Sequence, residues 1–265
     1  MTLTAPLAGK TALVTGGARR LGRAIAIALA EAGADVAITF RCSEAEASQT
    51  AAMIAALGRR GLIAPCDVRS EQSVREAVAH VAAGFGRLDI LVNNAAVFAS
   101  AALESLTLEQ WDTVFETNAR GPFLVAREAL PHLRSARGRI INMGSLGGFH
   151  PWAGHGHYCA SKAALHMLTQ AMAKAFAPEI SVNCVAPGWI EMNDPADSAD
   201  PQGIRSSQGE TERRAGAQAA RFAAKTPLGR NGNPDEVAQA VLFFATGPAF
   251  ITGQILAVDG GLGLA

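Results

Sequence analysis

Seven apolar runs, each separated from the next by a stretch of helical periodicity, constrain the fold more than any other feature of this chain. The runs fall at 11–15, 35–40, 62–67, 88–93, 139–143, 181–186 and 254–258. Helical patterns stand between them, clearest at 22–32, 44–57, 73–85, 111–133, 158–176 and 234–245. A strand that is apolar throughout has no face to show to water. It must be covered on both sides, which is the situation of a parallel sheet between two layers of helices. Right-handed crossovers then make the expected fold α/β, with a doubly wound, seven-stranded parallel sheet. Asn233-Pro234-Asp235-Glu236 reads as a helix start, with proline at the first helical position and acids in the first turn.

One stretch interrupts the alternation. Residues 191–225 hold Pro195, Asp197, Asp200, Pro201, Gly203 and Gly209, then Glu212-Arg213-Arg214 and Ala-rich sequence. This reads as a polar loop followed by a helix, and a long excursion inside a compact domain is usually functional or disordered. No linker, internal repeat or low-complexity tail is evident, so one domain is expected over 1–265.

Composition excludes several classes. An apolar content of 49% supports a large core and argues against disorder. Lys plus Arg and Asp plus Glu are 23 each, so there is no basic stripe for nucleic acid. Near-zero net charge gives little colloidal repulsion, which fits self-association. Cys42, Cys66, Cys159 and Cys184 form no C-x-x-C and read as reduced thiols in cytoplasm, with neither a disulfide framework nor a zinc site. No signal peptide is read at the N-terminus, and no apolar run reaches membrane-spanning length. The expected location is therefore cytoplasmic, with no membrane or nucleic acid partner. His155 and His157 are two apart but lack supporting ligands, so they read as loop histidines lining a cleft, and no metal is expected. Cys159 reads as a small buried apolar residue.

The first apolar run leads into Thr15-Gly16-Gly17-Ala18-Arg19-Arg20-Leu21-Gly22, followed by an Ala/Ile/Leu-rich helical stretch. Strand, glycine-rich turn and helix make a phosphate-binding element. Backbone N–H groups and the positive helix end face the anion, and glycines let the backbone approach. A second constellation is Tyr158-Cys159-Ala160-Ser161-Lys162. On a helix, positions four apart lie on one face, about 6 Å apart at Cβ. A lysine cation favours the phenolate and lowers the tyrosine pKa, which suits protonation of an alkoxide as hydride arrives.

These two runs, with Asn93-Asn94-Ala95 and Ser145 between them, resemble the short-chain dehydrogenase/reductase family from about residue 9 to 261. In that family the serine precedes the tyrosine by thirteen residues, the spacing of Ser145 and Tyr158. Asn118, in Thr117-Asn118-Ala119-Arg120-Gly121-Pro122, matches the asparagine of the family's tetrad. The resemblance implies a single-domain Rossmann fold and a nicotinamide nucleotide. It implies catalytic roles for Asn118, Ser145, Tyr158 and Lys162. It places the nucleotide against Gly16, Arg19, Arg20, Leu21 and Gly22 of the turn, then Arg41, Ser43, Asp67, Val68, Asn94 and Ala95. Tyr158, Lys162, Pro187, Gly188 and Ile190 complete that set, and Pro187-Gly188 opens a substrate lid over about 189–225. Members are commonly homotetramers.

The second strand ends in Thr39-Phe40-Arg41-Cys42-Ser43. An NAD-specific fold usually carries an acid there for the ribose 2′-OH. Arg41, Ser43 and Arg19 instead favour a 2′-phosphate, hence NADP(H). Asp67-Val68 resembles the family's adenine-binding pair, and a turn-initiating aspartate is an equal reading. The family's T-G-x-x-x-G-x-G pattern has Arg20 at its middle glycine, which resembles the pteridine reductase branch. Phe98 stands where those enzymes stack a pterin ring, and it reads equally as an ordinary loop hydrophobe. Ser145 stands where they carry an aspartate, and so resembles the general ketone reductases. Trp189, with Trp152, flanks the expected substrate cleft. The expected function is NADP(H)-dependent reduction of a ketone, quinone or 3-oxoacyl-type carbonyl, with Tyr158 as proton donor. Dihydropterin or dihydrofolate reduction is the alternative substrate class. A non-catalytic NADP(H)-sensing protein and a nucleotide-sugar isomerase or lyase are the alternatives of other classes.

Overall fold

Strand β1 (Thr11–Val14) and strand β4 (Ile90–Asn93) are buried at every residue, as continuous apolar runs require. They lie side by side at the centre of a seven-stranded sheet, with Val14 opposite both Val92 and Ile38. The other strands are β2 (Asp35–Phe40), β3 (Gly61–Pro65), β5 (Arg139–Met143), β6 (Ser181–Pro187) and β7 (Ile255–Val258). Their order is β3-β2-β1-β4-β5-β6-β7, and every pair is parallel. The computed structural model describes residues 5–192 and 208–264.

Both faces of the sheet are covered. Helices α1 (Arg20–Glu31) and α8 (Pro234–Thr246) pack on one face through Ile25, Leu29, Val237 and Val241. Helices α3 (Glu71–Phe85), α5 (Gly121–Ala136) and α6 (Gly156–Ala175) cover the other through Val74, Val78, Leu124 and Met172. Strand alternation divides β1 between them: Ala12 and Val14 join the first core and Leu13 the second. Helix α2 (Glu44–Ala56) flanks β2 and β3, and α8 starts with the expected proline and a capping box between Asn233 and Glu236.

The expected helix over 111–133 divides in the structure. Helix α4 (Leu108–Phe115) begins three residues earlier, where Thr107 and Gln110 form a reciprocal capping box. A π turn (Glu116–Arg120) then precedes α5. Pro122 accounts for it: lacking an N–H, proline cannot close the helical bond back to the Asn118 carbonyl. Within the expected lid at 189–225, residues 193–207 lie outside the described residues. Its C-terminal part is helix α7 (Gln208–Lys225). Among the described residues no helix is long and apolar enough to cross a membrane.

The chain leaves β1 toward β2 and β3 on one side, while β4 to β7 lie on the other. Such a reversal opens a crevice at the carboxyl ends of the central strands.

Candidate active site

The crevice is built first by the turn after β1. Thr15 Oγ1 accepts hydrogen bonds from the backbone N–H groups of Asn94 (2.9 Å) and Ala95 (3.0 Å). Asn94 Nδ2 donates back to the carbonyls of Thr15 (2.9 Å) and Gly16 (3.1 Å). The Asn94 side chain thus stitches the end of β4 to the glycine-rich turn. Gly16 has φ +64°, and a Cβ on Gly22 would lie 2.2 Å from the Gly16 carbonyl oxygen. Only glycine lets α1 begin that close to the turn. Arg20 takes a left-handed backbone, φ +52°, at the position where the family pattern has its middle glycine. That conformation is disfavoured for a residue with a Cβ.

Arg23 braces this turn, and the sequence reading missed it. Its guanidinium donates to the Ala18 carbonyl (3.0 Å) and to Thr50 Oγ1 (2.9 Å), locking the turn to α2. The available signal was a cation in the first turn of a helix, where the macrodipole disfavours it.

The turn, the ends of the central strands and α6 enclose a cleft of about 540 Å³. Every residue assigned above to the nucleotide lines it, from Gly16 to Ile190. Arg41 and Ser43 follow β2 at its rim, and Ser43 caps α2 without using its hydroxyl for a capping bond. Asp67 has two commitments at once. It initiates a turn, its Oδ1 accepting from Arg69 N–H (3.0 Å), and it pairs with the Arg69 guanidinium at 2.6 Å. Hydrogen bonds from Arg69 hold its carboxyl below the ordinary range against burial, with a smaller contribution from Arg41.

Ser145, Tyr158 and Lys162 meet on the floor of this cleft. Tyr158 and Lys162 rise one turn apart from α6. Ser145 follows β5 in extended backbone, and its Oγ accepts from Gly147 N–H (3.1 Å). Lys162 is buried, donates to the Met143 carbonyl (2.8 Å) and stands 5.9 Å from the Tyr158 ring centroid. Burial pushes the Tyr158 phenol up to about 12, and the group that pulls against burial is the Ser145 hydroxyl. Burial also lowers the Lys162 ammonium to about 8. The phenol is raised, not lowered as expected from Lys162, because burial is its largest influence. Desolvation disfavours the phenolate, and the Lys162 ammonium donates to the Met143 carbonyl.

Asn118 stands behind the floor in the π turn and is fully buried. Its Oδ1 accepts from Val97 N–H (2.8 Å), and its Nδ2 donates to the Val97 carbonyl (2.9 Å) and Ser161 Oγ (3.1 Å). Ser161 in turn donates to the Tyr158 carbonyl (2.7 Å). The amide thereby ties the segment after β4 to the helix that carries Tyr158.

Phe98 and Trp189 both line the cleft. Phe98 meets the Tyr158 ring edge-on at 4.8 Å and stacks on His155 at 4.7 Å. Trp189 stacks on Phe222 of α7 at 4.4 Å. The expectation of two cleft histidines is corrected. His155 backs Phe98, whereas His157 is fully buried in the first turn of α6, its imidazole lowered by desolvation and then by His155. Among the described residues, no group of three His, Cys, Asp or Glu side chains could hold a metal ion.

A family model described as enoyl-(acyl carrier protein) reductase matches residues 16–263. The chain is 37% identical to a rhamnolipids biosynthesis 3-oxoacyl-(acyl-carrier-protein) reductase of Pseudomonas aeruginosa, with 97% of this chain and 98% of that protein covered. It is 34% identical to a 3-oxoacyl-(acyl-carrier-protein) reductase of Thermotoga maritima, over the same shares. Among solved structures, it is similar to a short-chain dehydrogenase/reductase from Serratia marcescens, with TM-score 0.85 and 34% identity, covering 97% of this chain and 99% of that one. A short-chain type dehydrogenase/reductase from Mycobacterium marinum gives TM-score 0.85 at 33% identity, covering 98% and 97%.

Proposed function

The chain belongs to the short-chain dehydrogenase/reductase family, and from that membership we propose that it is an NADP(H)-dependent reductase of a ketone, quinone or 3-oxoacyl-type carbonyl. The observation that carries this reading is the Tyr158 phenol beside the Ser145 hydroxyl and Lys162, on the floor of the cleft that the glycine-rich turn opens. Two similar proteins named as 3-oxoacyl-(acyl-carrier-protein) reductases support the carbonyl class over the pterin class.

The residues fit the nucleotide. Gly16 and Gly22 let the turn, the end of β4 and the start of α1 close on one another, where a Cβ would crowd Ala95 or the Gly16 carbonyl. Arg19, Arg41 and Ser43 line the cleft as partners for a 2′-phosphate, and no carboxylate stands at the end of β2. Bound NADPH supplies the hydride. Ser145 and Tyr158 hold the carbonyl oxygen, and Tyr158 Oη–H gives the proton. Lys162 holds the nicotinamide ribose and steadies charge at the phenol. Asn118 positions water that links Lys162 to solvent.

The deciding experiment follows NADPH oxidation across ketones, quinones, 3-oxoacyl thioesters and dihydropterins. Ketone or quinone kcat/KM is expected to exceed that for dihydropterins, because a serine hydroxyl delivers a proton to a ring nitrogen less well than a carboxylic acid. A tenfold advantage for dihydropterin, about 1.4 kcal/mol, reverses the reading in favour of pterin reduction guided by Phe98 and Arg20.

The protein is further proposed to act in the cytoplasm as a homotetramer. Trp111, Phe123 and Met167 on α4, α5 and α6 are 36%, 41% and 65% exposed, more apolar surface than those helices need to leave in water. Light scattering at micromolar concentration is expected to give a multiple of the chain mass. A value near 27.4 kDa refutes the assembly.

A further inference from the structure

Charge and aromatic surface are segregated along the cleft. Four of its charged lining residues, Arg19, Arg20, Arg41 and Asp67, come from the turn after β1 and the ends of β2 and β3. The fifth, Lys162, is turned to the Met143 carbonyl. Phe98 and Trp152 meet the Tyr158 ring and Val97 packs beside it, while Trp189 and Met192 line the same cleft.

Three of these are rings, and two of the three are held from behind. Phe98 rests on His155 with 16° between the planes, yet keeps 46% of its surface exposed. The His155 ring is itself fixed by Nδ1–H donating to the Ala153 carbonyl (3.1 Å). Trp189 rests on Phe222 at 12°. Trp152 lies within 20° of the Tyr158 plane, 6.2 Å away. Rings braced in this way are preorganised stacking surfaces that lose little freedom when a ligand arrives. Each stacked pair is worth roughly two- to tenfold in binding.

We infer that this end of the cleft takes an uncharged ketone with an aromatic ring next to the carbonyl. Phe98, Trp152 and Trp189 determine that specificity, and Phe222 is a positioning residue that acts through Trp189. The inference rests on the reductase reading above. It selects, within that class, aryl ketones over straight-chain 3-oxoacyl thioesters. The chemistry balances: hydride from NADPH forms the new C–H bond at the carbonyl carbon, Tyr158 gives its proton to the oxygen, and a benzylic secondary alcohol and NADP⁺ leave.

The test compares acetophenone with cyclohexyl methyl ketone, which has the same carbon skeleton with a saturated ring, and with an acetoacetyl thioester, all with NADPH. Conjugation makes acetophenone the less electrophilic ketone, so a preference for it belongs to the pocket. Its kcat/KM is expected to be at least about tenfold above both others. Phe98→Leu and Trp189→Leu should each shrink that preference to about threefold or less. Phe222→Leu should raise the acetophenone KM about three- to tenfold and leave kcat within about twofold. Equal or faster turnover of the saturated ketone or the thioester overturns the aryl assignment and leaves the reductase reading standing. A tenfold preference that survives both Leu variants overturns the role of the rings. If no carbonyl consumes NADPH, the reductase reading fails and the inference fails with it.

Discussion

Tyr158→Phe is expected to lower carbonyl turnover by about 10²- to 10⁴-fold, the range for a lost general acid, while NADPH still binds. The substitution removes one oxygen and keeps the ring. Contacts with Phe98 and Trp152 persist, so the cleft keeps its shape. No other group replaces the proton donor well. The Lys162 ammonium already donates to Met143, and an aliphatic serine hydroxyl is a weaker acid than the phenol. Steady-state turnover measured beside calorimetric NADPH binding separates the two effects. A variant within about twofold of wild type in kcat/KM removes Tyr158 from the mechanism. Loss of binding and turnover together would mean that the phenol positions the nucleotide rather than the proton.

Arg41→Ala is expected to weaken NADPH binding by about 1.5–3 kcal/mol, the worth of a hydrogen bond to a charged group, and to leave NADH binding nearly unchanged. Arg41 stands exposed at the rim of the cleft, so the loss should shrink as salt screens it. Asp67 lies close enough to feel the same cation, but Arg69 already holds that carboxylate by a charge-assisted pair. Arg41 is therefore the more available partner for an incoming phosphate. Calorimetry with both nucleotides decides the matter. Equal losses for NADPH and NADH would show that Arg41 does not read the 2′-phosphate.

Much of the fold was legible in the order of residues. Continuous apolar runs such as Ala12-Leu13-Val14 and Leu91-Val92 imply strands buried on both faces, and these are central strands of the sheet. The tyrosine–lysine spacing likewise implies one helical face, and both side chains rise from α6 into the same cleft. Each of these inferences uses a local period, two residues for a strand and nearly four for a helix, which the chain carries without reference to distant partners. The capping box at Thr107 is equally local, and it starts the helix three residues before the apolar period that marks 111–133.

Other features had no local signal. Phe98 gains its backing from His155, 57 positions later, and Trp189 from Phe222, 33 positions later. Asn118 spans from Val97 to Ser161, and Arg23 reaches Thr50 to hold the turn. The direction of the Tyr158 shift also depended on the fold. Sequence places a cation one turn away, but the phenol is 9% exposed, and burial is the largest influence on it. The sequence by itself determined the elements, their alternation and the types of chemical group presented at the ends of the strands. Tertiary structure alone decided which rings stack, which cations are engaged and which protons stay bound, because those depend on distances of a few ångströms between residues far apart in the chain.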